Sequence, residues 1–281
     1  MSIRIVTDST CDIPGEAAAE QGISVIPCYI NIGGTSYLDG VNLSRKEFYQ
    51  QLPIYPVNPT TSAPGIGTFV ETYNKLAAEG ATEIISIHVS ANFSNVPNVA
   101  RLASQTVKDT VPVTVVDSGQ VTLGMGFAVL DAARAAHAGH SLVEILNLVK
   151  AIVSRSYTFA VLDTLEYLQR SGRVSKLQNT LGTLLQIDPF VKVFKGEVIL
   201  EKVRTYSKSI ERLVKSANEL APLDHLAILH TSAPEKAEKL KEHLKHLLSF
   251  STTIWTVEAT PAIGTHVGPG AVGIACVQTA S

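Results

Sequence analysis

Three short stretches carry the residues best suited to chemistry. Thr7-Asp8-Ser9-Thr10, Thr60-Thr61-Ser62 and the SANFS run from Ser90 to Ser94 each follow an extended run and precede a helical pattern. A helix N-terminus offers free N–H groups and partial positive charge, and a neighbouring hydroxyl adds a neutral donor. Two such termini converging would hold an anion without any arginine. Ser, Thr and Asp are also the ordinary residues of caps and turns, so spacing alone leaves both readings open. Near the other end stands Thr265-His266-Val267-Gly268-Pro269-Gly270. Two glycines around a proline force an unusual loop and let backbone or ligand approach closely. In that loop His266 either donates to an anion or bonds to backbone.

Basic residues gather in one region. Arg170, Arg173, Lys176, Lys192, Lys195, Lys202 and Arg204 stand against Glu166, Asp188, Glu197 and Glu201. That surplus suits a docking face for an acidic partner, a phosphate or an anionic membrane, or else a solvated surface. Familiar catalytic signatures are missing: no GxxxxGKS/T loop, no GxSxG elbow, no HExxH, and no GxGxxG after a strand. The pairs His243/His246 and His137/His140 lack a carboxylate or cysteine partner at ligand spacing, so they read as polar faces and no metal is expected.

Composition narrows the field further. The 281 residues are 45% hydrophobic but only 6% aromatic, so the apolar content is aliphatic. Charged residues are 17%, below the usual ~25%, which argues for more hidden apolar surface than normal. With 23 Lys and Arg against 25 Asp and Glu the net charge is −2, and phosphate-driven nucleic-acid binding is not expected. Cys11, Cys28 and Cys276 form no CxxC, so buried reduced thiols are expected. No secretory leader and no stretch of ~18 uncharged apolar residues is evident, so a soluble cytoplasmic protein is expected.

The elements that must position these residues alternate between β and α. Strands are expected at 3–7, 25–32, 83–89, 113–117, 158–162, 190–200, 225–230, 252–257 and 273–277. Helices are expected at 14–21, 64–78, 95–108, 123–138, 142–154, 208–220 and 234–249. Runs such as IISIHV are apolar on both faces, as in a parallel sheet covered on both sides. The run FVKVFKGEVILEK reads as a hairpin turning at Lys195-Gly196. Asp12, Ser62 and Ser232 each stand two residues before a proline, a spacing that predicts three capped helix starts. The expected fold is α/β in two domains. Residues 1–155 form a mainly parallel sheet flanked by helices, and residues 156–281 form a mixed α/β sheet domain.

Taken in order, the motifs resemble the DegV family of bacterial fatty-acid-binding proteins, which includes the lipid-binding subunit of fatty acid kinases. The likeness covers nearly the whole chain. It rests on TDSTCDIP (7–14), PTTSAP (59–64), the serines at 90–94 and VVDS (115–118). It continues through LDTLEYLQRSGRVS (162–175), IDPFVKVFKGEV (187–198), KVRT (202–205) and HVGPGAVG (266–273). The resemblance implies a long-chain fatty acid such as palmitate in a buried apolar pocket completed by both domains. It implies that Thr61, Ser62, Ser94, Asn95 and His266 surround the carboxylate. Arg170, Arg173 and Arg204 match positions used around the head group or for partner contact. No cofactor is implied. The protein would carry or present its ligand in lipid transport or fatty acid metabolism, with a fatty acid kinase subunit as partner and transient membrane contact. One motif departs: relatives commonly continue Ser94 with Gly-Thr, and this chain has Asn95-Val96. The alternative from another class is a stand-alone acyl or lipid hydrolase or transferase using Ser94 or His266.

Overall fold

Short apolar runs closed by turn residues build the first half of the computed structural model, which describes residues 2–172, 188–203, 205–248 and 254–280. Its elements are β1 (Ile3–Asp8), α1 (Gly15–Glu20), β2 (Ser24–Ile26), β3 (Tyr29–Ile32), β4 (Thr35–Leu38), α2 (Arg45–Gln51) and β5 (Thr60–Ser62). Then come α3 (Ile66–Ala78), β6 (Glu83–His88), α4 (Val96–Thr106), β7 (Val113–Asp117), α5 (Leu123–His137) and α6 (Leu142–Ser154). The second half holds β8 (Ser156–Val161), α7 (Glu166–Arg170), β9 (Asp188–Phe194), β10 (Glu197–Val203), α8 (Tyr206–Leu220) and β11 (Leu223–His230). It closes with α9 (Pro234–Leu248), β12 (Ile254–Glu258), α10 (Pro261–Val267) and β13 (Val272–Gln278).

The parallel sheet expected from the doubly apolar runs has the order β2-β1-β6-β7. The mixed sheet has the order β10-β9-β8-β13-β11-β12, antiparallel throughout except for β11 with β12. The hairpin β9–β10 turns where expected, with Lys195 at φ 49° and Gly196 at φ 79°. The fold class is therefore as read: a mostly parallel sheet flanked by helices, joined to a mixed-sheet unit.

Helix α5 ties the two sheets together. It packs on β1 and β6 of one sheet and on β8 and β13 of the other. A helix covered on opposite sides must be apolar nearly all round, and Leu123–Leu130, Ala132 and Ala133 are all buried. Its polar interruption is paired: Asp131 meets His225 at 2.8 Å and Arg134 at 3.0 Å. Helix α6 begins with a capping box, Ser141 Oγ accepting the Glu144 N–H and Glu144 accepting the Ser141 N–H at 2.8 Å.

Several expectations need correction. The strand at 25–32 is two strands, β2 and β3, belonging to different sheets. Pro27 lies between them and has no N–H for a ladder. Strand β3 instead centres a small antiparallel sheet, β4-β3-β5, which short polar runs did not announce. Asp12 does not cap α1, whose N-cap is Pro14 without a side-chain bond. Asp12 sits at φ 55° and turns its carboxylate to the Thr260 N–H at 2.8 Å. Ser62 lies in β5, and α3 begins from Gly65 uncapped. His266 is in the last turn of a helix, α10, and the glycines of its motif follow that helix. Helices α2, α7 and α10 are too short for periodicity to reveal.

Candidate functional site

The site is built around α10, a helix held at both ends. At its start the Thr260 N–H reaches buried Asp12, and Tyr49 Oη donates to the Ala259 carbonyl at 2.9 Å. Arg45 lies 3.6 Å from Asp12 and also donates to the Glu258 carbonyl. Burial, opposed mainly by Arg45, raises the Asp12 carboxyl from 3.8 to about 7. Asp39 is likewise raised to about 6 by burial, against the hydrogen bond that Ser9 Oγ donates at 2.7 Å. At its end, Gly268 leaves the helix at φ 77°, where a Cβ would stand 2.2 Å from the Tyr167 ring of α7. Gly268→Ala therefore meets both backbone strain and a ring. We expect it to cost on the order of 1–3 kcal/mol and to disturb His266, which a denaturant titration and a ligand-occupancy measurement would show together.

That anchoring brings His266 Nε2 to 2.8 Å from Thr61 Oγ1, a side chain fixed by the pairing of Ile30 with Thr61 between β3 and β5. Across the gap, Ser94 Oγ accepts the Val96 N–H at 3.3 Å at the start of α4. The hydroxyl proton is left for an acceptor outside the turn. Asn95 is exposed, and its Oδ1 accepts from Asn98 at 2.9 Å. Thr61, Ser62, Ser94, Asn95 and His266 all line one cavity of about 1010 Å³. Its walls are mainly aliphatic, with Val121, Ala160, Leu162, Val191, Val193 and Leu229 among them. Among the described residues that line it there is no Lys or Arg. An anionic head at this rim meets neutral donors, and an apolar body behind it meets hydrocarbon.

Arg170 stands on α7 with its side chain 50% exposed, paired with Glu166 and donating to Asn58 Oδ1 at 2.8 Å. It is not among the residues lining the cavity, although Leu168 and Gly172 beside it are. Arg173 and Arg204 lie outside the described residues.

Thr10, from the first hydroxyl-rich stretch, also lines the cavity, and so do Thr122, Thr158 and His230, which the sequence reading did not single out. His230 accepts the Ala233 N–H through Nδ1 at 3.3 Å, and burial, with the Arg45 charge, pushes its pKa down. Thr10 hangs from a buried polar chain behind the cavity. Asp8 accepts the Thr10 N–H at 3.1 Å, the Thr10 hydroxyl and the Val89 N–H at 3.2 Å. It also lies 2.9 Å from His88 Nδ1, while His88 Nε2 is 2.6 Å from Ser86 Oγ and Ser86 is 2.8 Å from Tyr73 Oη. One assignment satisfies every atom: Tyr73 donates to Ser86, Ser86 to His88, and His88 to Asp8. The residue types match a nucleophile–base–orienter triad. Yet Ser86, His88 and Asp8 are each 0% exposed. With no face open to a substrate, the chain works as a brace that fixes Thr10. Residues 80 apart in sequence gave no signal of it.

The fold closes mainly aliphatic walls around a cavity whose polar lining, among the described residues, is hydroxyls, amides, His230, His266 and the single carboxylate Glu197. The DegV family model, described as "Uncharacterised protein, DegV family", matches residues 2–279. The chain belongs to the DegV family. A DegV domain-containing protein of Streptomyces coelicolor is 35% identical over 277 residues, 97% of each chain. A DegV family protein from Thermus thermophilus, described by its fatty acid binding, superposes with a TM-score of 0.90 at 28% identity, covering 99% of this chain and 100% of that one. DegV of Bacillus subtilis, described as a fatty acid binding protein, gives 0.89 at 32% identity, covering 99% of both chains.

Proposed function

We propose that this chain binds a long-chain fatty acid such as palmitate, with the carboxylate at Thr61, Ser94 and His266 and the acyl chain in the aliphatic cavity. The observation that carries this reading is the Thr61–His266 pair, 2.8 Å apart, at the polar rim of an aliphatic cavity of about 1010 Å³. Solved relatives described as fatty acid binding support it. Two units, 1–155 and 156–281, meet at the cavity in this reading. The bound acid is carried or presented in the cytoplasm to a separate fatty acid kinase, after loading at a membrane surface. The exposed Arg170, with Arg173 and Arg204, serves those contacts. No helix among the described residues is long and apolar enough to cross a membrane.

Energies divide the labour between tail and head. Each buried methylene contributes ~0.8 kcal/mol, so a C16 tail supplies on the order of 10 kcal/mol before ordering costs. A hydrogen bond to a charged group adds about 1.5–3 kcal/mol. The tail therefore sets affinity, and the hydroxyls set orientation. Thr61→Ala or Ser94→Ala is expected to weaken palmitate binding about 10- to 100-fold without emptying the cavity. The check is mass spectrometry of the purified protein, native and then denatured, with the organic extract identified. A folded variant that purified wholly free of lipid would refute this division. A wild-type protein that carried no acyl chain and took up no added palmitate would refute the ligand.

A further inference from the structure

The cavity has a second polar place, away from the Thr61–His266 pair. Strand β8 and the residue after it present Thr158, Ala160 and Leu162 to the cavity in alternation. Leu162 clusters with Ala271 and Val267, the neighbour of His266, so that end of the strand belongs to the head-group rim. Thr158 is four residues back, about 13 Å along an extended strand. There it meets the start of α5. A Cβ on Gly124 would stand 2.5 Å from Thr158 Oγ1, so glycine is what lets the threonine lie against the helix's first turn.

Thr122 completes this place. It is the residue before α5, lines the cavity, is only 4% exposed, and its Oγ1 has no hydrogen-bond partner. A buried hydroxyl in that condition is costly unless something supplies the missing bond. Its backbone, at φ 53° and ψ −147°, lies where residues with side chains are rarely found. As N-cap its hydroxyl would ordinarily accept a helix N–H, but it makes no such bond. The Thr122 carbonyl takes the Met125 and Gly126 N–H groups, and those of Leu123 and Gly124 have no intrahelical acceptor. Thr158 Oγ1 donates to Gln120 Oε1 at 3.2 Å and so keeps its lone pairs as acceptors. Thr122 and Thr158 thus line the cavity together, with no Lys or Arg among the described lining residues. That set suits a neutral oxygen which both accepts and donates.

Resting on the fatty-acid reading above, we propose that Thr122 and Thr158 form a subsite for a hydroxyl group on the distal part of the acyl chain, so that hydroxylated long-chain acids are preferred ligands. The test compares stearate with a set of monohydroxystearates whose hydroxyl moves along the chain, by titration into delipidated protein. The expected result is that one distal position binds about tenfold tighter than stearate, the worth of one additional hydrogen bond. Thr122→Val, near in shape, is expected to abolish that preference, read as the ratio of hydroxystearate to stearate affinity within each variant, and Thr122→Ser is expected to restore it. Thr158→Val provides a second, independent removal. Stearate binding with no advantage at any hydroxyl position, or an advantage that survives both valine variants, overturns the subsite and leaves the fatty-acid reading standing. Failure of every acid to bind overturns both.

Discussion

Replacing Asp8 by alanine is expected to cost about 3–5 kcal/mol of folding stability, since each buried donor left without an acceptor costs about 1–3 kcal/mol and several are stranded at once. The carboxylate is 0% exposed and accepts from His88, Val89 and both polar groups of Thr10. Alanine leaves all of them facing a void with no water to replace the acceptor. The loss spreads along the chain of bonds, because His88 Nδ1 no longer has anything to hold its ring against Ser86 and Tyr73. It also reaches the cavity, since Thr10 is one of its lining residues. Denaturant titration should therefore show a lowered midpoint, and the purified protein should carry less acyl ligand. A change below about 1 kcal/mol, the scale of an ordinary exposed pair, would show that the buried chain contributes little.

Acidification from pH 8 to pH 5 is expected to raise the melting temperature. Asp12 and Asp39 are buried beside one another's field, and burial holds their carboxyls at about 7 and about 6 against 3.8 for an ordinary aspartate. Across that interval the folded protein binds protons that the unfolded chain releases. Stability is thus fully present below the unfolded value and is lost as pH rises through 6 and 7. A carboxyl at about 7 in place of 3.8 corresponds to about 4 kcal/mol for Asp12 alone as an upper bound. His230, whose pKa is lowered by burial, acts in the opposite direction near neutrality. Asp12→Asn keeps an acceptor for the Thr260 N–H and removes the titration, so the pH difference should shrink. A wild-type protein more stable at pH 8 than at pH 5 would contradict the assignment. Because Asp12 anchors the start of α10, ligand retention by His266 at its far end should follow the same pH dependence.

Much of this architecture was legible in the amino-acid pattern. Runs of β-branched residues located β1, β6 and β7, and glycine at 196 located the β9–β10 turn. The elements missed were those whose formation depends on tertiary contact. Helix α10 is seven residues long and exists because Asp12, Tyr49 and Tyr167 hold it, from distant parts of the chain. Strand β5 is three polar residues that pair only because Pro27 frees β3 from the parallel sheet. Of the candidate site, hydroxyl-rich strand ends pointed to Thr61 and Ser94, the glycine-proline loop pointed to His266, and the family motifs joined the three into one reading. The Asp8–His88 brace and the Thr122 place were invisible, because neither sequence spacing nor residue type reports which buried hydroxyl lacks a partner.

The order of strands in the mixed sheet also bears on how the protein is made. Strand β13 lies between β8 and β11, so the central strand is the last of that sheet to be synthesised. It emerges about 110 residues after β8, which is roughly 5–20 s at ribosomal speed. Through that interval the edge of β8 that β13 will cover stays unpaired, joined toward its end by the edge of β11, a period in which chaperone occupancy would count for more than at any later time.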